Sequence, residues 1–446
     1  MENWSMETPS RINAENIPQT ITQNPSELTL GSACTENAFQ YPALFTSKSF
    51  LELSTCSWSR GRNANENIQP YLRGCKWSPD GTCCLSVVNN DGVHVTELPS
   101  ELYQGVVCGD RIIDVLESVI HLKETGSVYD FCWYPFMNST NPPSCCWLTT
   151  KQNSPIQMWD AFDGSLRCSY RGFNAVDEME PALSVSFTSD GRKIIAGYKK
   201  HLRIFDVERP GREFTEQKIS SSASSISTQN NLVAVGSWNT TITLYNESEI
   251  GTKKIGDMYG HGGGVTHMKF IPGTLKLVSG ARKDHRLFVW DIRYYRKPLN
   301  ILSRVVNTNQ RIYFDISPCG KYLVSGGTDG VVKVWSLDHI DWHSSLDPVN
   351  NTTDDVTYKF PLYKDCCNSI SIHPYRPILA TGSGQYHFTD PIKSLSEKTN
   401  NEAVDSSSDD SINQYDIRYS SHSENCLTFW WTGDVIELNK NLRRCV

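Results

Sequence analysis

The chain has 446 residues, a net charge of −7 and an isoelectric point near 5.9. That balance excludes a global basic field able to draw in nucleic acid or anionic membrane, so anion binding needs a local patch. No stretch approaches the roughly 18 consecutive apolar residues of a helical membrane span, and the opening MENWSMETPSRINAEN does not read as a signal peptide, because no basic region precedes an apolar run.

In chain order, residues 1–45 are rich in Asn, Ser, Thr, Glu and Pro without apolar periodicity, and are predicted to form a disordered tail. From 46 to 436 short β-branched and aromatic runs alternate with turn residues, the pattern of strand, turn, strand. Phe50, Leu51 and Leu53 offer one isolated strand. A first unit spans 71–98, with strands near 74–77, 83–88 and 93–98; the segment 99–124 then adds an outer strand through 115–122. Units two, three and four span 127–170, 182–206 and 224–245. Unit five, 260–293, reads GHGGGVTHMKFIPGTLKLVSGARKDHRLFVWDIR, opening on Gly-His and closing on Trp-Asp. Unit six, 310–335, repeats it closely. Unit seven starts at Ser369, is interrupted over about 388–423 by an acidic, Ser-rich stretch containing DSSSDD, and resumes at 426–431. The insert is predicted to be disordered, a solvated linker, and 437–446 a C-terminal tail.

The units share a period. Trp159, Phe205, Tyr245, Trp290 and Trp335 occupy the same place in successive third strands, at separations of 46, 40, 45 and 45. Turns between first and second strands recur as Ser-Pro-Asp-Gly at 78–81, Ser-Asp-Gly at 189–191, Pro-Gly at 272–273 and Ser-Pro-Cys-Gly at 317–320, where Gly permits a positive φ. One such sheet cannot bury its faces alone and must stack on its sisters. The expected fold is therefore all-β: a seven-bladed WD-repeat β-propeller, its last blade completed by the strand near residues 50–53.

The 15 cysteines include Cys75, Cys83, Cys84, Cys132 and Cys146 inside predicted strands, and no C-x-x-C pair occurs. Zinc and thioredoxin chemistry lack their ligand spacing, so no metal and no cofactor is expected. Buried thiols acting as small hydrophobes imply a reducing compartment, and the glycosylation-like matches at Asn138 and Asn239 then read as chance.

His261-Gly262-Gly263-Gly264 imitates an oxyanion element, but its partner G-x-S-x-G is missing. GGTDG at 326–330 is a strand-to-strand turn, and no Lys-Ser/Thr follows the Gly-rich run to make a P-loop. No enzyme is expected. His261, Ser279, Asp284 and Trp290 instead suit a buried hydrogen-bond chain that holds the blade. Asp329 with Trp335 and Asn153 with Trp159 share the Asp284–Trp290 separation of six.

Turns between second and third strands emerge on one face. Reading back seven and eight residues from each third-strand aromatic gives Lys151 and Gln152, Gly197 and Tyr198, Ser237 and Trp238, Arg282 and Lys283, and Gly327 and Thr328, with Lys199 and Lys200 adjacent. Such a rim offers charge for phosphates and rings for unpaired bases. Lys151, Lys199, Arg282, Lys283 and Arg311 are the phosphate candidates; Tyr198 and Trp238 are the stacking candidates; Gln152 and Gln385 are the base-edge readers. A peptide-binding rim or a merely solvated one remains an open alternative. Trp290-Asp291-Ile292-Arg293 matches the WDxR box of cullin-ligase substrate receptors, where Arg293 would meet a partner carboxylate.

Several stretches go beyond the repeat: GCKWSPDG at 74–81, ELYQG at 101–105, VYDFCWYPFM at 128–137, SPIQMWDAFDGSLR at 154–167, RPGREF at 209–214, SGARKD at 279–284, TNQRIYFDISPCGKYLVSGGTDGVVKVW at 308–335 and KDCCNSISIHPYRPILATGSGQ at 364–385. In this order, from residue 71 to 431, the chain resembles the telomerase Cajal body proteins, a family of RNA-binding WD-repeat proteins. The resemblance implies a nuclear, non-enzymatic scaffold of the Cajal body that reads the Cajal-body box of small Cajal-body RNAs. It further implies that box H/ACA ribonucleoprotein components, Cajal-body scaffold proteins and, in organisms that use it so, telomerase RNA are partners, with no membrane involved. A ligase receptor or a protein-only scaffold is the alternative.

Overall fold

The computed structural model describes residues 44–46, 50–58, 70–104, 107, 114–123, 126–174, 176–247, 254–338, 356–387 and 424–434. The acidic insert, the C-terminal tail and residues 1–43 of the predicted N-terminal tail lie outside the described residues.

Seven antiparallel sheets follow one another along the chain, as the seven units predicted. Blade one is Leu72–Trp77, Cys83–Val88, Gly92–Glu97 and Ser118–Lys123. Blade two is Val128–Trp133, Cys146–Lys151, Ile156–Asp160 and Leu166–Tyr170. Blade three is Ser184–Phe187, Lys193–Gly197, His201–Asp206 and Thr215–Lys218. Blade four is Ala223–Gln229, Leu232–Ser237, Ile242–Asn246 and Lys254–Met258. Blade five is Val265–Phe270, Lys276–Ala281, Arg286–Asp291 and Asn300–Ser303. Blade six is Phe314–Ile316, Tyr322–Ser325, Val331–Ser336 and Tyr358–Pro361.

Blade seven takes Cys367–Ile372, Ile378–Ser383 and Cys426–Trp431 from the end of the chain and Leu51–Ser57 from its start. Leu51 pairs with Trp431 and Ser57 with Cys426, so the N-terminal strand closes the ring as expected. The closing strand covers the edge of Cys426–Trp431 that would otherwise be left open to pairing.

Two boundaries differ from the sequence reading. The expected outer strand over 115–122 divides between blades: Ser118–Lys123 completes blade one, whereas Asp114–Val115 pairs in parallel with the closing strand of blade seven. Leu116, buried between them, anchors the crossing. Leu44 and Phe45 belong to the folded body, not the tail; both are buried, with the Phe45 ring edge-on to Tyr322 at 5.2 Å.

The core lies between blades. Second strands are buried on both faces throughout Cys83–Val88 and Ile378–Ser383, which explains their near-continuous apolar and small-residue sequence. Trp147, Trp290 and Trp335 are fully buried third- and second-strand rings in this core. The twelve described cysteines are free thiols; burial pushes Cys83 and Cys132 up to about 12, so both stay protonated.

Candidate nucleic-acid interface

Blade five contains the expected polar chain. Trp290 Nε1–H donates to Ser279 Oγ at 2.8 Å, Ser279 Oγ lies 2.8 Å from His261 Nε2, and His261 Nδ1 lies 3.1 Å from Asp284 Oδ2. Burial lowers the His261 pKa despite the adjacent carboxylate. Burial opposes ionisation of Asp284, yet bonds from His261, Arg286 and the Gly262 amide hold its pKa well below the ordinary carboxylate value. These residues are spent on the blade. The parallel sets are looser: Trp159 Nε1–H donates to Thr149 Oγ1 at 2.9 Å, and Trp335 Nε1 is buried without a partner among the described residues.

A cavity of about 550 Å³ opens where the seven inner strands begin, and every blade contributes to its wall. Its cations are Arg73, Lys199, Arg282 and Arg311, and no carboxylate is among the described residues that line it. With Arg311 offset by Asp130, the remaining three cations converging in a concave site create a local positive field on an acidic chain. The floor is fixed by Arg311, whose Nη1 donates to Asp130 Oδ1 at 2.9 Å and to the Tyr313 hydroxyl at 3.1 Å, while Nη2 donates to the Ser224 carbonyl at 3.0 Å. Burial works against its charge, but Tyr313 and Asp130 outweigh that and raise its pKa. Asp130 also accepts from the amides of Phe131 and Val185, so inner strands of blades two, three and six meet at one carboxylate.

Arg282 is different. Its guanidinium lies 5.2 Å from the centre of the Trp238 ring, and its Nε is buried with no protein partner among the described residues. Burial and then the charge of Arg311 lower its pKa from the usual guanidinium value. Trp238 is 44% exposed. Gln310 Oε1, on the same wall, is also buried without a partner among the described residues. The mouth therefore holds an unspent donor, an unspent acceptor and an accessible indole. Together they suit a ligand that carries negative charge, a hydrogen-bonding edge and a flat face.

Of the sequence candidates, Lys199, Trp238, Arg282 and Arg311 come together here. Lys283 is exposed beside Arg282 at a φ of 49°, its amide donating to the Thr308 carbonyl, but it is outside the lining. Tyr198 is a correction: it is 1% exposed, with the Arg203 guanidinium 4.4 Å from its ring centre, and cannot stack a base. Lys151 and Gln152 do not line the cavity. Gln385 also lies outside it and donates to Asp365 Oδ1 at 2.8 Å. Tyr71, Arg73, Tyr129, Asn309, Gln310 and Asn368 were missed. They sit at or just before the starts of inner strands, and counting forward to those starts would have found them.

The opposite end of the inner strands has a second cavity of about 730 Å³. There Lys269 pairs with Asp315, and Lys76 Nζ donates to the Phe131 carbonyl at 2.6 Å. Pro79, Pro272, Pro318 and Pro374 contribute to its wall. Elsewhere, Arg293 of the WDxR box already forms a fork with Asp291, at 3.0 Å from Nε and 2.6 Å from Nη2. On the edge of blade one, Asp91, His94 and His121 bring three possible metal-ligand atoms within 4.8 Å of one another.

The WD domain, G-beta repeat family matches residues 252–291 and 308–336. Telomerase Cajal body protein 1 homolog of Drosophila melanogaster is 41% identical over 399 residues, covering 86% of this chain and 69% of that protein. Telomerase Cajal body protein 1 of Bos taurus is 37% identical, covering 84% of this chain and 67% of its own length. The Homo sapiens protein of the same name is 37% identical over 76% of this chain and 61% of its own length. With its ring of seven blades and this similarity through most of its length, the chain belongs to the telomerase Cajal body protein family.

Proposed function

We propose that the chain is a non-enzymatic, RNA-binding scaffold of the nucleus that holds the unpaired loop of a small Cajal-body RNA at the Arg282–Trp238 mouth. The loop is the Cajal-body box, and through it box H/ACA particles, with telomerase RNA among them where it carries that box, are directed to Cajal bodies and their scaffold proteins. One observation carries the reading: Arg73, Lys199 and Arg282, with no carboxylate among the described lining residues, stand around an exposed Trp238 and the unpartnered Arg282 Nε and Gln310 Oε1. Unstacked bases offer the flat faces and hydrogen-bonding edges that such a site needs, and a duplex does not. The names of the relatives support the destination.

Crosslinking the full chain to RNA in cells, followed by sequencing, tests this. Recovery of H/ACA-type RNAs is expected, with loss in the folded double variant Arg282→Glu, Lys283→Glu. Recovery of no RNA, with a cullin adaptor co-purifying in an Arg293-dependent way, would replace this reading with the ligase receptor.

A further inference from the structure

We propose that Asp91, His94 and His121 form a zinc-binding clip on the edge of blade one, a site separate from the RNA-facing mouth. His94 on the third strand and His121 on the outer strand are direct register partners, so their side chains share one face. Asp91 lies in the turn entering the third strand, where a backbone reversal returns its carboxylate to that face. The imidazoles stack with centroids 4.1 Å apart and planes 14° from parallel. Both Nε2 atoms turn to the carboxylate: His94 Nε2 is 2.9 Å from Asp91 Oδ2, and His121 Nε2 is 3.6 Å from Asp91 Oδ1.

Those separations are the edges of a coordination polyhedron. Tetrahedral zinc, at about 2.0–2.1 Å from nitrogen and oxygen ligands, holds them roughly 3.3 Å apart. The two carboxylate–imidazole separations bracket that distance; to admit the ion the stacked rings must turn out of parallel, His121 about its side-chain torsions, so that both in-plane Nε2 lone pairs meet at one point. Two imidazoles and one carboxylate suit zinc better than calcium or magnesium, which prefer oxygen alone. His94 also has the outer support expected of a ligating imidazole: its Nδ1 lies 3.0 Å from Ser118 Oγ, which fixes the ring with Nε2 toward the ion. The His94 side chain is 5% exposed, whereas His121 and Asp91 are 31% and 34% exposed. One ligand is therefore a buried anchor, two are reachable from solvent, and the fourth position is left to water. To bind, His121 gives up its 3.1 Å contact with the Asp91 carbonyl, and the proton on its Nε2 moves to Nδ1. The sequence gives no hint in C-x-x-C form, because the ligands come from a turn and two strands rather than a knuckle. The ion would tie the outer strand of blade one to the turn between its second and third strands.

The test uses the full chain stripped with a chelator and titrated with cobalt(II), then zinc in competition. One equivalent of cobalt with a tetrahedral visible spectrum is expected, displaced by zinc, with zinc raising the Tm. His121→Gln and Asp91→Asn should each weaken binding at least about tenfold and remove the zinc-dependent Tm rise, while the metal-free Tm of His121→Gln stays that of the parent. Cys319→Ser, removing an exposed thiol, should change nothing. The proposal is overturned if the parent fails to bind at micromolar cobalt, if both ligand variants bind as the parent does, or if Cys319→Ser abolishes binding.

Discussion

The two ends of the channel are built from the same seven inner strands, yet their cations have opposite fates. At the end where the strands begin, Arg73, Lys199 and Arg282 face a cavity with no carboxylate among its described lining residues, and Arg311 at its floor is paired with Asp130. At the other end, Lys269 is paired with Asp315 and Lys76 with the Phe131 carbonyl. Between them Arg311 and Asp130 form the floor, and His267, its pKa driven well below 6.5 by burial, holds the Phe314 carbonyl at 3.1 Å. An ion pair such as Lys269–Asp315 or Arg311–Asp130 adds rigidity but little net field, whereas Arg73, Lys199 and Arg282 have no carboxylate partner among the described residues and keep theirs. Counting cations on each end would have missed this difference.

Removing the floor should have the largest effect. Arg311→Ala leaves Asp130 buried without its counter-charge, and urea unfolding should show a loss of about 3–5 kcal/mol. An unchanged midpoint would mean that the pair separates nothing. Next comes acid. His373, beside the second cavity, accepts the amides of Tyr375 and Arg376 at Nδ1 and faces the Gly81 carbonyl through Nε2 at 2.9 Å, an arrangement that only the neutral ring satisfies. Burial takes its pKa down to about 4 from 6.5. The unfolded chain therefore binds the proton first, so stability is full above pH 6.5 and is lost as pH falls toward 4, by about 3 kcal/mol. Urea titrations at several pH values measure this. No histidine is among the described residues lining the mouth, so RNA affinity between pH 6.5 and 7.5 should stay flat.

Trp238→Ala should cost about 1–3 kcal/mol of RNA binding through lost base stacking, read by filter binding at fixed salt. Lys199→Gln should reduce the slope of log affinity against log salt by about 0.7, the share of one phosphate on a single strand. Lys269→Gln at the far end should leave that slope unchanged, the smallest effect of the set. A slope that falls equally for Lys199→Gln and Lys269→Gln would erase the distinction between the ends.

The blades were legible because the third strands of blades two to six carry an aromatic at a nearly constant interval and the first hairpins of blades one, three, five and six carry a glycine; Gly81 and Gly273 indeed adopt φ of 72° and 70°. The closing strand was legible because a ring of seven incomplete sheets leaves one strand to be supplied. The mouth was half legible. An offset from the third-strand aromatic locates a turn but not the direction of its side chains. Tyr198 and Trp238 have the same offset, yet Tyr198 folds inward under Arg203 while Trp238 stays at the opening against Arg282. Arg73 and Gln310 escaped because they reach the mouth from the inner strands, a part of each blade that carries no fixed motif. The joining of His94 and His121 depends on a register that is visible only once the outer strand has paired.

The most direct test is residue-resolved ultraviolet crosslinking of the full chain to its bound RNA, read by mass spectrometry. The expected adducts fall on Trp238, with Tyr71 or Tyr129 on the same wall, and disappear when Arg282 is reversed in charge. Adducts confined to Trp77 and Trp133, at the opposite end, would contradict the account.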